Sequence, residues 1–205
     1  MAELIAGITA DIEAVETVDN LDSLRGYEGI GAVRYFSSLG ELIVNPGFTF
    51  TERNRRPPKD PVNSLLSFGY TLLHNNVLSI ILAEGLNPYL GNLHGSDRKE
   101  LFLAFDMVEE FRSPVVDSLV LTLVNKKMIR PTDFTWPTQE GGVYLSEPAR
   151  RLFIKKFEER IDSLVAHPDL QDKVSLRRAI QLQVRRYKRS LLESVPYEAF
   201  VRASY

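Results

Sequence analysis

The chain has 205 residues, 25 of them Lys or Arg and 27 Asp or Glu, for a formal net charge of −2. That near-balance gives no bulk attraction to nucleic acid or membrane, so any such interaction must be local. With no cysteine, the sequence excludes disulfides, zinc–thiolate sites and thiol catalysis, and it fits an intracellular protein.

The length suits one domain, and hydrophobic periodicity is helical almost throughout, so the expected fold is a mainly α single domain over residues 1–205. No basic region precedes the first apolar residues, and Asp11, Glu13 and Glu16 follow, so the start does not read as a signal peptide. A first helix is predicted over Ile5–Val15. Asp19-Asn20-Leu21-Asp22 offers N-cap chemistry for a second, running to about Leu39 with Leu24, Ile30, Val33, Tyr35 and Phe36 turned inward and Gly40 closing it.

Residues 48–61 hold Arg53, Arg55, Arg56 and Lys59 among Pro57, Pro58 and Pro61, which predicts an extended, basic surface loop. Asn63 or Ser64 then caps a long apolar helix ending near Gly85. Its stretch from Leu65 to Ala83 approaches the ~20 residues of a membrane span, but His74, Asn75 and Asn76 interrupt it, so a core helix and no membrane contact are expected. Asp97–Asn125 reads as a long helix or a pair broken at Pro114, which lacks a backbone donor. Gly141-Gly142, flanked by Phe134, Trp136, Val143 and Tyr144, predicts a small β-hairpin near residues 134–145. Two helices follow, from Ser146 through Val165 and from about Leu170 to Ser194. The second carries Arg177, Arg178, Arg185, Arg186, Lys188 and Arg189.

Two segments concentrate chemistry. His94 stands in the glycine-bracketed loop NPYLGNLHG (87–95), and Asp106 and Glu109 lie three residues apart on the apolar segment FDMVEEFR (105–112). Two carboxylates beside an apolar face are costly unless a cation compensates, so with an imidazole they form an oxygen and nitrogen donor set suited to a divalent metal. Glu28, between Gly26 and Gly29, is the best third donor, although by local sequence it also reads as a solvated helix residue. Spacing alone does not choose between Glu109 and Glu110.

Four stretches, LDSLRGYEGIGAVRYF (21–36), NRRPPKDPVNSLLSFGYTLL (54–73), EGLNPYLGNLHG (84–95) and LAFDMVEEFRSPVVD (103–117), together resemble one family. It is the CRISPR-associated integrase and endonuclease of spacer acquisition, the Cas-one family, and the likeness extends more loosely to the last helix. The resemblance implies a helical catalytic domain of a prokaryotic, cytoplasmic protein. It implies Mn²⁺ or Mg²⁺ held by Glu28, His94 and Glu109, with Asp106 a further active-site acid. It also implies partners: DNA as spacer precursor and repeat, and the small dimeric adaptation protein, Cas-two. Members of the family carry an N-terminal β-rich domain that builds a homodimer, and this chain begins where the helical domain would, so that domain is expected to be absent.

The expected chemistry is metal-assisted phosphodiester transfer, with DNA phosphates met by Arg53, Arg55, Arg56, Lys59, Arg112, Arg185, Arg186, Lys188 and Arg189. Such contacts position DNA rather than specify sequence. The alternative is a non-catalytic helical fragment that binds DNA or protein and needs its missing half for activity.

Overall fold

The computed structural model describes residues 2–93, 100–136 and 141–201. As expected it is mainly helical with a small hairpin at 134–145, and it adds a second small antiparallel hairpin. The chain divides into two compact units, Met1–Leu65 with Leu121–Ser146, and Leu66–Val120 with Glu147–Tyr205.

In the first unit, α1 (Ala2–Val15) packs on α2 (Leu21–Glu41). Asp11 and Arg34 form an ion pair across them at 3.0 Å, and Gly7 leaves room for the guanidinium, because a Cβ there would lie 2.3 Å from Arg34 Nη1. Asn20 caps α2 as predicted, its side chain accepting from Ser23 N at 2.8 Å. Two expectations for α2 are corrected. The helix continues through Gly40, whose missing side chain admits the Phe50 carbonyl oxygen to within 2.3 Å of where a Cβ would stand. Its inward stripe is also shorter than predicted: Phe36 and Leu39 are buried, whereas Ile30 is 47% and Val33 70% exposed. The core contact sits in the last turns, where Phe36 meets Phe50 edge-on, while Gly26, Gly29 and Gly31 face open space.

The loop predicted over residues 48–61 is part of a longer stretch, 42–60, without helix or strand, held by side-chain hydrogen bonds in place of a ladder. Asn125 donates to Leu42 O at 2.9 Å and accepts from Val44 N at 2.9 Å, and Asn45 donates to Val124 O at 2.7 Å. The main anchor is Asn63, fully buried. It accepts from Asn54 N and Arg53 Nη1 and donates to Glu52 O. With its side chain committed there, Asn63 is not the cap of α3 (Pro61–Ala83): Asp60 is, accepting from Asn63 N at 2.8 Å, with Pro61 in the first helical position. The predicted hairpin is present as β1 (Phe134–Thr135) and β2 (Tyr144–Leu145), pairing Phe134 with Leu145.

In the second unit the remainder of α3 buries Leu73, Val77 and Ile81 and exposes Thr71, Asn75 and Ser79. It is long and apolar enough to cross a membrane by composition, yet this polar stripe is that of a core helix facing water on one side. Gly85, at φ +75°, ends it. The predicted break at Pro114 takes a specific form. Helix α4 (Phe102–Phe111) passes into a π-helical stretch, Arg112–Asp117, and then α5 (Ser118–Asn125), with Ser118 N bonding to Ser113 O. Wider turns absorb a residue that cannot donate, and the Pro114 carbonyl is met by Ser118 Oγ at 2.9 Å and Arg160 Nε at 2.9 Å.

Helix α6 (Glu147–Ile161) begins as predicted but ends four residues early, and α7 starts at Leu176 instead of Leu170, capped by Ser175. Between them lies an unpredicted hairpin, β3 (Leu164–Val165) with β4 (Val174–Ser175). Helix α7 (Leu176–Glu193) buries Leu176, Ala179, Ile180, Val184 and Tyr187.

Candidate functional site

Helix α4 presents three carboxylates, and each is used differently. Asp106 Oδ2 accepts from the backbone of Asn92 at 2.5 Å and Leu93 at 3.2 Å, so it holds the chain immediately before His94. Gly91 makes that approach possible: a Cβ there would lie 2.7 Å from Phe102 Cβ and 2.8 Å from Asp106 Oδ2. Asn92 continues the anchor by donating to Tyr187 Oη at 3.1 Å.

Glu109 is half-buried, and Arg112 Nη1 donates to its Oε2 at 2.7 Å. The arginine is fixed in turn, its guanidinium 5.0 Å from the centre of the Tyr70 ring, while the Tyr70 hydroxyl donates to buried Asp117 at 2.5 Å. A carboxylate set by a stacked arginine has lost much of its rotamer freedom before any ligand arrives.

Glu110, which spacing left as an equal candidate, points elsewhere. It accepts from Tyr197 Oη, Phe200 N and Gln183 Nε2 at 2.5, 2.6 and 2.9 Å. Three donors, Gln183 of α7 and Tyr197 and Phe200 beyond it, commit it to structure, which leaves Glu109 as the acid of this pair for a ligand.

Glu28 is exposed on α2 in the first unit. His94 lies outside the described residues. Among the described residues no three His, Asp or Glu side chains form a metal-sized group. The donors nevertheless fit a divalent ion by type: carboxylates with one imidazole suit Mn²⁺ or Mg²⁺, and Glu109 is oriented by a second residue, as metal-binding carboxylates commonly are.

His74, on α3, lies against Phe105 of α4, with ring centres 4.9 Å apart and planes tilted by 39°. Its Nε2 is buried without a partner among the described residues, and burial lowers its pKa from the ordinary histidine value.

The basic residues fall into two groups. Arg53 donates to Asn63 and is part of the fold; Arg55, Arg56 and Lys59 are exposed. On α7, Arg185 bonds Glu84 Oε1 at 2.8 Å, Lys188 Nζ the Glu84 carbonyl at 2.7 Å, and Arg186 both oxygens of Asp169. These contacts lower the Glu84 and Asp169 pKa values, chiefly through the arginine hydrogen bonds. Arg189 is exposed. Acidic partners so distant in sequence, Glu84 above all, gave no local signal.

Residues 1–159 match the family model described as CRISPR associated protein Cas1. Over 194 residues the chain is 41% identical to CRISPR-associated endonuclease Cas1 1 of Thermus thermophilus, covering 95% of this chain and 60% of the relative. It is similar in structure to a Cas1 protein from Thermotoga maritima, with TM-score 0.83, 31% identity and coverage of 95% and 60%. A chain of a partial Cas6-RT-Cas1–Cas2 complex matches with TM-score 0.86, 25% identity and coverage of 98% and 60%. The chain thus spans 60% of the length of each of these three.

Proposed function

Because the chain belongs to the Cas1 family of CRISPR-associated proteins, we propose that it carries the catalytic centre of a metal-dependent DNA endonuclease and integrase. In this reading Glu28, His94 and Glu109 hold Mn²⁺ or Mg²⁺. When bound, the ion supplies charge stabilisation at a phosphodiester undergoing transfer. The observation that carries the proposal is the state of Glu109, half-buried and oriented by Arg112 above Tyr70.

The chain's own residues prepare that centre. Asp106 keeps the backbone of Asn92 and Leu93, immediately before His94 in the sequence, against α4. Neutral His94 offers a ring nitrogen. The exposed Arg55, Arg56, Lys59 and Arg189 meet DNA phosphates, and Arg112 acts on Glu109 rather than on DNA. The attacking group is a DNA 3′-hydroxyl in integration and water in cleavage. The small adaptation partner Cas2 is proposed on the likeness to the Cas1 part of a Cas1–Cas2 assembly.

Cleavage of branched DNA in Mn²⁺, compared with Glu28→Ala, His94→Ala and Glu109→Ala, tests the reading. Loss in all three with retained folding is expected. Activity unchanged in them would reject the site. An inactive, well-folded wild type that still binds DNA would favour a helical fragment needing the remaining part of a longer protein.

A further inference from the structure

Helix α4 is gripped at its C-terminal end from two sides. Successive helical residues are separated by about 100° around the axis, so Glu109 and Glu110 meet different surroundings: Arg112 for the first, Gln183 of α7 with Tyr197 and Phe200 for the second. Residues 195–201 have no regular structure, so side-chain contacts must hold them. Those contacts converge on Glu110. Phe200, 6% exposed, stacks on Phe111 with ring centres 5.0 Å apart and planes at 16°. Gln183, fully buried, shares the two N–H bonds of its Nε2 among three acceptors, Glu110 Oε2 at 2.9 Å, Tyr197 Oη at 2.9 Å and Glu198 O at 3.1 Å, while its own oxygen faces His167 Nε2 at 3.2 Å. Arg186 adds an ion pair to Glu198 at 3.4 Å. Burial and the Glu110 carboxylate push the Tyr197 phenol far above its ordinary range, so it stays protonated as a donor.

This is more polar apparatus than a loose chain end needs. A buried network with every member satisfied fixes one arrangement, and a partly satisfied one is worse than apolar packing. We infer that residues 195–200 form a strap that sets the rotation of α4 through Glu110, making Glu110, Gln183 and Tyr197 positioning residues for the Glu109 carboxylate one residue away. The inference rests on the proposed role of Glu109. Its content is that metal affinity depends on residues that never touch the ion.

The test measures Mn²⁺ affinity by titration calorimetry on the full chain, with hydrogen exchange of α4 amides alongside and thermal melts as the folding control. Tyr197→Phe keeps the ring and removes the hydroxyl. Glu110→Gln keeps an acceptor, and Glu110→Ala does not. Orienting partners of metal ligands are worth about 10- to 100-fold in affinity, so weakening in that range is expected for Tyr197→Phe and Glu110→Ala, with faster exchange in α4 and a smaller loss in Glu110→Gln. A purely structural strap would lower the melting temperature and leave Mn²⁺ affinity unchanged where the protein is folded, and that result would overturn the inference. Glu109→Ala separates the two levels. If it abolishes binding while the strap variants match wild type, the strap falls alone. If Glu109→Ala binds like wild type, or wild type binds no Mn²⁺, both fall.

Discussion

A single methyl group at position 91 has nowhere to go. Beside Asp106 Oδ2 at 2.8 Å it would meet Phe102 Cβ at 2.7 Å and the Phe102 backbone carbon at 3.0 Å, which cannot swing aside as a flexible side-chain end can. Overpacking of that kind costs about 1–3 kcal/mol, so Gly91→Ala should destabilise the protein by that much in urea denaturation. Asn63→Ala should cost about 1–2 kcal/mol, because it empties a fully buried position and takes the acceptor from the half-buried Asn54 N, while the exposed Glu52 carbonyl can turn to water. The sequence made Gly91 conspicuous by its loop, but the buried role of Asn63 was read as a cap. Both readings suit an asparagine near a helix start. The choice was made by Pro61, which moves the start one step back, and by an extended segment in need of an anchor. The same limit applied to Glu109 and Glu110, because the residues that commit Glu110 to structure lie 73 or more positions away.

At the scale of elements, helix order and the hairpin at 134–145 were legible, because periodicity and turn residues act locally. The π-helical stretch was legible only as a fault at Pro114. Which remedy the chain adopts depends on whether another element can take the displaced carbonyl, and here Arg160 of α6 does so with two nitrogens. Arg160→Met should therefore keep most of the packing and lose the bonds, at about 1–3 kcal/mol, and near-wild-type stability in chemical denaturation would count against this account. The hairpin β3–β4 was missed because its two-residue strands carry no measurable alternation and, unlike β1–β2 with Gly141-Gly142, no glycine marks the turn between them. Helix α2 erred in the opposite direction. Its apolar residues suggested a continuous inward face, but only Phe36 and Leu39 have a neighbouring core to enter.

For the molecule as a whole, acid sensitivity follows from two histidines of the second unit. Burial is the largest cause lowering both pKa values. Around His167, Asp169 and Gln183 oppose the shift and Arg186 adds to it; around His74, a hydrogen bond with Asn75 opposes it. A native pKa below the unfolded one means that the unfolded chain takes up protons first, so stability is full above about pH 6.5 and falls as pH drops from there toward the native values. The melting temperature should decline between pH 7 and pH 5.5, and His167→Gln should flatten the decline. A profile flat across that window in wild type would refute it.

Neutralisation within the fold also changes what a salt titration would read. Of the nine cations nominated from sequence, Arg53, Arg112, Arg185, Arg186 and Lys188 already have protein partners. Counterions are released when cations replace them at phosphates, with about 0.9 released per phosphate on duplex DNA. If Arg55, Arg56, Lys59 and Arg189 make the contacts, log affinity should fall with log salt at a slope of about 3–4, where all nine would give about 8. The steeper slope would mean that α7 surrenders Glu84 and Asp169 on meeting DNA, exchanging intramolecular ion pairs for phosphates.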